Sequence, residues 1–188
     1  MNLPNQLTIL RIILAFVCIY LIWFNTLQTI IAALIIFSIA AITDYLDGQI
    51  ARRKNLITNL GKLLDPIADK ILIIGVFLAF LELDLISLWV VIVIVSREFI
   101  ITSLRLVALK QNKVLAAEFH GKHKMISQVA AIIIILIIII LHNIYTQHII
   151  VNWLYYDMIN LLMWYVLLIT TFSGGYYLWK NKQVIKNL

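Results

Sequence analysis

Apolar residues gather in six long stretches, 7–24, 27–43, 67–83, 85–107, 126–141 and 158–179, with short polar segments between them. A helix needs roughly 20 mostly apolar residues to cross the hydrocarbon of a bilayer, and fewer where its ends are polar. Peptide groups in hydrocarbon must find partners within the segment, so a helix is the form such a stretch can take. The chain is therefore expected to be all-α, a polytopic membrane protein with six transmembrane helices in a single membrane domain over 1–188. A content of 63% hydrophobic and 13% charged residues excludes an ordinary soluble composition. The first stretch lacks a basic leader and a small-residue cleavage site, so it is read as a retained span.

Positive charge is one-sided. Arg52, Arg53, Lys54 and Lys62 lie between stretches two and three, Lys110, Lys113, Lys122 and Lys124 between four and five, and Lys180, Lys182 and Lys186 in the tail. The alternate connections, 25–26, 82–84 and 142–157, have none. Basic loops stay in the cytoplasm, which places both termini on the inner side of the cell membrane. Tyr145, Trp153, Tyr155 and Tyr156 then form an outer interfacial aromatic belt. The net charge of +6 is dispersed between apolar stretches, pointing to anionic membrane lipid or a phosphorylated substrate and not to nucleic acid. With Cys18 alone, there is no disulfide framework and no zinc-type cysteine cluster.

Four aspartates, Asp44, Asp47, Asp65 and Asp69, fall where stretches two and three meet on the basic side. Carboxylates beside hydrocarbon are costly and mark function by default. Residues three and four apart share a helix face, so Asp44, Asp47, Gly48, Ala51 and Arg52 form one stripe, and Gly61, Asp65 and Asp69 another. Carboxylates converging in that number repel unless cations lie between them, and hard oxygens suit Mg²⁺, Mn²⁺ or Ca²⁺. Plainer roles stand beside this one. Asp65 before Pro66 fits a helix cap, and Asp44 or Asp47 could pair with Arg52 or Arg53. Asn5, Thr8 and Arg11 recur at threes as a polar stripe; capping by Asn5 and snorkelling by Arg11 are its simple reading.

The spacing D-x-x-D-G-x-x-A-R, eight residues, G-x-x-x-D-x-x-x-D resembles the signature of the CDP-alcohol phosphotransferase family at every fixed position, Asp44, Asp47, Gly48, Ala51, Arg52, Gly61, Asp65 and Asp69. The opening NLPNQLTILRI and the segment SREFIITSLRLVALKQNKVLAAEFHGKHK are similar to the branch that makes phosphatidylglycerol phosphate, so the likeness covers about the first 125 residues. One position departs: Gly121, Lys122, His123 and Lys124 are followed by Met125 where that branch has threonine.

The resemblance implies a transferase of phospholipid biosynthesis that moves a phosphatidyl group from CDP-diacylglycerol to an alcohol and releases CMP. It implies two Mg²⁺ ions, with Mn²⁺ as an alternative, held by Asp44, Asp47, Asp65 and Asp69, with Asp69 also the general base. Asp44, Gly48, Ala51, Arg52 and Gly61, with Asn5 and Thr8, would border the CDP-diacylglycerol, and a homodimer is the family's usual assembly. Arg97, Arg105, Lys122 and Lys124 could together hold a phosphate, which favours sn-glycerol 3-phosphate as acceptor. Glu98 beside Arg97 allows instead a buried ion-pair network. Synthases of phosphatidylserine, phosphatidylinositol phosphate or cardiolipin would share the aspartates. A divalent-cation transporter would need polar groups near the midplane and beyond, and the outer halves of the six stretches carry no acidic residue apart from Glu82, at the edge.

Overall fold

The computed structural model describes residues 3–53, 59–110, 119–145, 149–182 and 185, with side chains for 6–44, 67–108, 123–145, 155–182 and 185. These form six helices: α1 (Leu3–Phe24), α2 (Leu27–Arg53), α3 (Asn59–Glu82), α4 (Leu88–Lys110), α5 (Phe119–Ile144) and α6 (Ile149–Lys180). Each covers all or most of one expected stretch, α3 ending one residue before its stretch does and α4 starting three residues after, and most extend into polar sequence. By length and apolarity four qualify as membrane spans, Gln6–Phe24, Leu27–Asp44, His123–Ile144 and Tyr155–Lys180. The other two, α3 and α4, carry Asp69 and Lys70, and Arg97, Glu98 and Arg105, inside their length.

Local chemistry fixes the tight connections. Asn25 has φ 47, in the left-handed region that Asn tolerates. Thr26 then caps α2: its Oγ1 accepts from Thr29 N at 3.3 Å, while Thr29 Oγ1 accepts from Thr26 N at 3.1 Å, a reciprocal box with threonine in place of the usual glutamate. At the end of α3, Asp84 has φ 56. Leu85 N donates to Phe80 O and Asp84 N to Leu81 O, both at 3.0 Å, and Leu85 and Phe80 are both buried. That is the paired bonding and apolar contact of a Schellman stop.

Helix contacts close a ring in the order α1, α2, α5, α6, α4, α3 and back to α1, with α3 and α5 also touching across it. On α1 the inward stripe is Thr8, Arg11, Ala15, Cys18 and Ile22, each at most 1% exposed, at the three-and-four spacing of one helix face. Phe37, Phe77, Phe80, Ile94, Ile132, Ile135 and Ile139 fill the interior. α1 and α3 approach closely at Gly75, where a Cβ would lie 2.5 Å from Ile19 Cδ1. The outside is apolar too: Phe16, Trp23, Trp89, Leu161 and Phe172 stand exposed, as suits a surface bathed in lipid. Of the expected aromatic belt, Tyr145 and Tyr156 are exposed, but Tyr155 is buried, stacked on His142 at 4.1 Å between ring centroids. Trp153 lies outside the described side chains.

Candidate active site

Three helices meet at Arg11. Its side chain, 0% exposed, directs Nη1 at Asp44 Oδ1 of α2, 2.7 Å away, and at Asp69 Oδ1 of α3, 2.8 Å away. The carboxyls of Asp44 and Asp69 also lie within hydrogen-bonding reach of each other. Their side chains keep 21% and 31% exposure, so the pair is anchored from below by a buried cation and open on its other side. This corrects one sequence expectation: Arg11 does not snorkel to the surface but lies buried and pairs with Asp44. The side chains of Arg52 and Arg53, the other partners expected for Asp44 or Asp47, lie outside the described residues.

α2 runs unbroken through Asp47, Gly48, Ala51 and Arg52, and α3 begins at Asn59, ahead of Gly61 and Asp65. A cap at Asp65 is thereby excluded, because the helix starts six residues earlier. Asn5 likewise stands inside the first turn of α1, not ahead of it. The side chains of Asn5, Asp47, Ala51, Arg52, Asp65 and Lys122 lie outside the described residues, and the expectations placed on them rest on helix register alone. Among the described residues no three His, Cys, Asp or Glu side chains gather. Yet the two signature carboxylates that are described do converge, from separate helices, on one positive group. That arrangement fits a divalent cation, with Asp47 one turn on from Asp44 and Asp65 one turn before Asp69.

A second polar group lies beside the first. Glu98 Oε1 accepts from Arg97 Nη1 at 3.2 Å and is also paired with Lys124 Nζ. Arg97 Nη2 donates to Ser173 Oγ of α6 at 3.1 Å. Side-chain exposures of 14% for Arg97 and Glu98 and 8% for Lys124 make this an interior network. Arg105, largely exposed, is close enough for its charge to act on Arg97. Lys70, next in sequence to Asp69, feels Asp69, Arg105 and Arg97 together, and Lys124 feels Arg97 and Lys70. Among the described residues, Glu98 pairs with both Arg97 and Lys124, Arg105 acts on Arg97, and Lys70 joins this group to the aspartates. The described side chains of this group are mainly basic, a setting that an anionic ligand would complement.

Of the two sequence alternatives for Arg97 and Lys124, the ion-pair network is present: both pair with Glu98. Met125 is exposed on a different face of α5 from buried Lys124 and Gln128, so the missing threonine hydroxyl is not a loss from this cluster. Lys70, Ser173 and Gly174 were not singled out by sequence reasoning. Lys70 could have been found from its place beside Asp69, and Ser173 from the Ser-Gly-Gly break in an otherwise apolar stretch.

A sequence profile of the family described as CDP-alcohol phosphatidyltransferase matches residues 1–173, further than the signature and its flanks alone. A Bacillus subtilis protein named CDP-diacylglycerol–glycerol-3-phosphate 3-phosphatidyltransferase is 38% identical over 98% of this chain and 97% of its own length. Proteins of the same name from Rickettsia typhi (42% identical, 55% of this chain, 58% of that one) and Mycoplasma pneumoniae (34%, 70% and 66%) are also similar.

Proposed function

The chain belongs to the CDP-alcohol phosphatidyltransferase family, and on that footing we propose that it transfers the phosphatidyl group of CDP-diacylglycerol to sn-glycerol 3-phosphate, giving phosphatidylglycerol phosphate and CMP. The observation that supports this reading is the meeting of signature carboxylates from α2 and α3 on the buried Arg11, with a basic cluster alongside. The name shared by the similar proteins supports the same donor and acceptor.

Asp44, Asp47, Asp65 and Asp69 would hold the divalent ions, Mg²⁺ or Mn²⁺, which when bound neutralise the diphosphate and stabilise charge on the departing phosphate. The chain's own residues do the rest. Asp44, Gly48, Ala51, Arg52 and Gly61 line the nucleotide side, with Asn5 and Thr8 bordering it. Arg97, Arg105, Lys122 and Lys124 hold the acceptor's phosphate by charge-assisted hydrogen bonds. Asp69 takes the proton of the acceptor hydroxyl. That oxygen bonds to the phosphorus carrying diacylglycerol, the anhydride bond breaks, and CMP leaves. Arg11 holds one oxygen of Asp69 and so orients the other toward the open side.

In this reading all six helices cross the membrane, the termini and site face the cytoplasm, and the protein works as a homodimer in lipid. The test is a panel of acceptors offered to purified protein with CDP-diacylglycerol, with Mg²⁺ and after chelation. CMP release is expected with sn-glycerol 3-phosphate and Mg²⁺ together. Release with serine or inositol phosphate instead would reassign the acceptor, and full turnover after exhaustive chelation would remove the metal reading.

A further inference from the structure

We propose that Ser173 and Gly174 of α6 are positioning residues for the acceptor, forming a seat that fixes where Arg97 presents its guanidinium. The inference rests on the reading above, in which Arg97 meets the acceptor's phosphate. It concerns the last helix, whose part in the site is not contained in the signature.

Arg97 has like charge nearby: Arg105 acts on it, Lys124 is within its reach, and Glu98, the carboxylate that pairs with it among the described residues, is shared with Lys124. An arginine in that position would swing away from its neighbours unless something held it. Ser173 supplies the hold. Its hydroxyl donates to Thr170 O at 3.0 Å, so its oxygen is turned to accept from Arg97 Nη2, 3.1 Å away. Gly174 supplies the space. A Cβ there would stand 3.0 Å from Arg97 Cγ and 3.3 Å from Nε, so the arginine stem lies against bare backbone. With Nη1 on Glu98 and Nη2 on Ser173, the side chain can yield to a methyl group only by loosening those bonds. Nε is itself buried with no hydrogen-bond partner, so the protein leaves this guanidinium's donors incompletely used.

The stripe on α6 is continuous. Thr170, Ser173, Gly174 and Tyr177 recur at three-and-four spacing and are all buried in a helix whose other faces carry exposed Leu168, Phe172 and Trp179. Small residues in that stripe let α6 come close to α4, the helix of Arg97. Gly175, one residue along, has nothing within 4 Å of a built Cβ. It is the natural control, the same residue type on the same helix but exposed and with no arginine beside it.

The experiment measures CMP release against sn-glycerol 3-phosphate at saturating CDP-diacylglycerol and Mg²⁺ for Gly174→Ala, Ser173→Ala, Gly175→Ala and Arg97→Ala. Displacing or loosening one charge-assisted contact to phosphate is expected to raise the acceptor's apparent KM on the order of tenfold in Gly174→Ala. Ser173→Ala should shift it in the same direction. In both, kcat and the KM for CDP-diacylglycerol should stay within about twofold, a split that general misfolding does not produce. Gly175→Ala should match the parent. Ser173→Ala, which only deletes an oxygen, keeps the proposal testable if Gly174→Ala does not fold. Unchanged acceptor KM in both α6 variants while Arg97→Ala raises it would overturn the seat and leave the acceptor site standing. An unchanged acceptor KM in Arg97→Ala would overturn the acceptor reading itself.

Discussion

At the scale of the residue, Arg11 decides how the aspartates stand. Two carboxylates from different helices within reach of each other repel, and a guanidinium buried beneath them offsets that repulsion whether or not other cations are bound. Replacing it by methionine, which fills similar space without charge, should cost about 1–3 kcal/mol, the range for losing hydrogen bonds to charged groups. The loss should appear as a lower thermal midpoint in chelator and be partly recovered by Mg²⁺. Equal losses with and without Mg²⁺ would mean that Arg11 serves packing alone. Asp69→Asn, by contrast, keeps the shape and an oxygen for Arg11 while removing the proton acceptor. CMP release should fall by at least about a hundredfold, the lower end for a lost general base, with little change in thermal midpoint. The sequence displayed Thr8 and Arg11 as a polar stripe but could not name the partners, because Arg11 and Asp69 are 58 residues apart. Only packing brings them together.

At the scale of the element, apolarity marks where a helix touches lipid or core and says little about where it ends. α2 continues through Arg53 and α3 starts at Asn59, so residues expected in a connecting loop are helical and the fixed positions of the signature sit on two helices. All six helices were legible from apolar runs. The closeness of α1 and α3 was not, because Gly75 lies in an apolar run where nothing in sequence says which neighbour it faces. This approach sets the distance between Arg11 on α1 and Asp69 on α3. Gly75→Val should therefore destabilise by about 1–3 kcal/mol, the usual cost of overpacking, read as a lower thermal midpoint in detergent. Ile19→Ala in the same chain should recover most of it, since Ile19 Cδ1 is the atom in the way. Additive losses in the double variant would mean that the strain lies elsewhere.

At the scale of the whole molecule, a ring of helices with an apolar exterior holds the buried charge of its described residues around Arg11 and Glu98, while basic residues recur in alternate connections of the sequence. In the proposed topology of six crossings that alternation fixes orientation, because lysine and arginine near span ends resist translocation. The chain is suited to a direct test because its one native thiol, Cys18, is buried among α1 and α2, its Sγ 3.6 Å from Ala33 O. A membrane-impermeant maleimide therefore meets no background. Asp84→Cys, at the turn between α3 and α4, should be labelled in intact cells. Lys182→Cys, past the end of α6 where the side chain is exposed over Trp179, should be labelled only after the membrane is opened. Six crossings put these two positions on opposite sides, whereas four crossings by the most apolar helices alone, with α3 and α4 on the cytoplasmic face, would put both inside. Labelling of Asp84→Cys only after opening would favour that second arrangement and would move α3 and α4, with their charges, out of the bilayer.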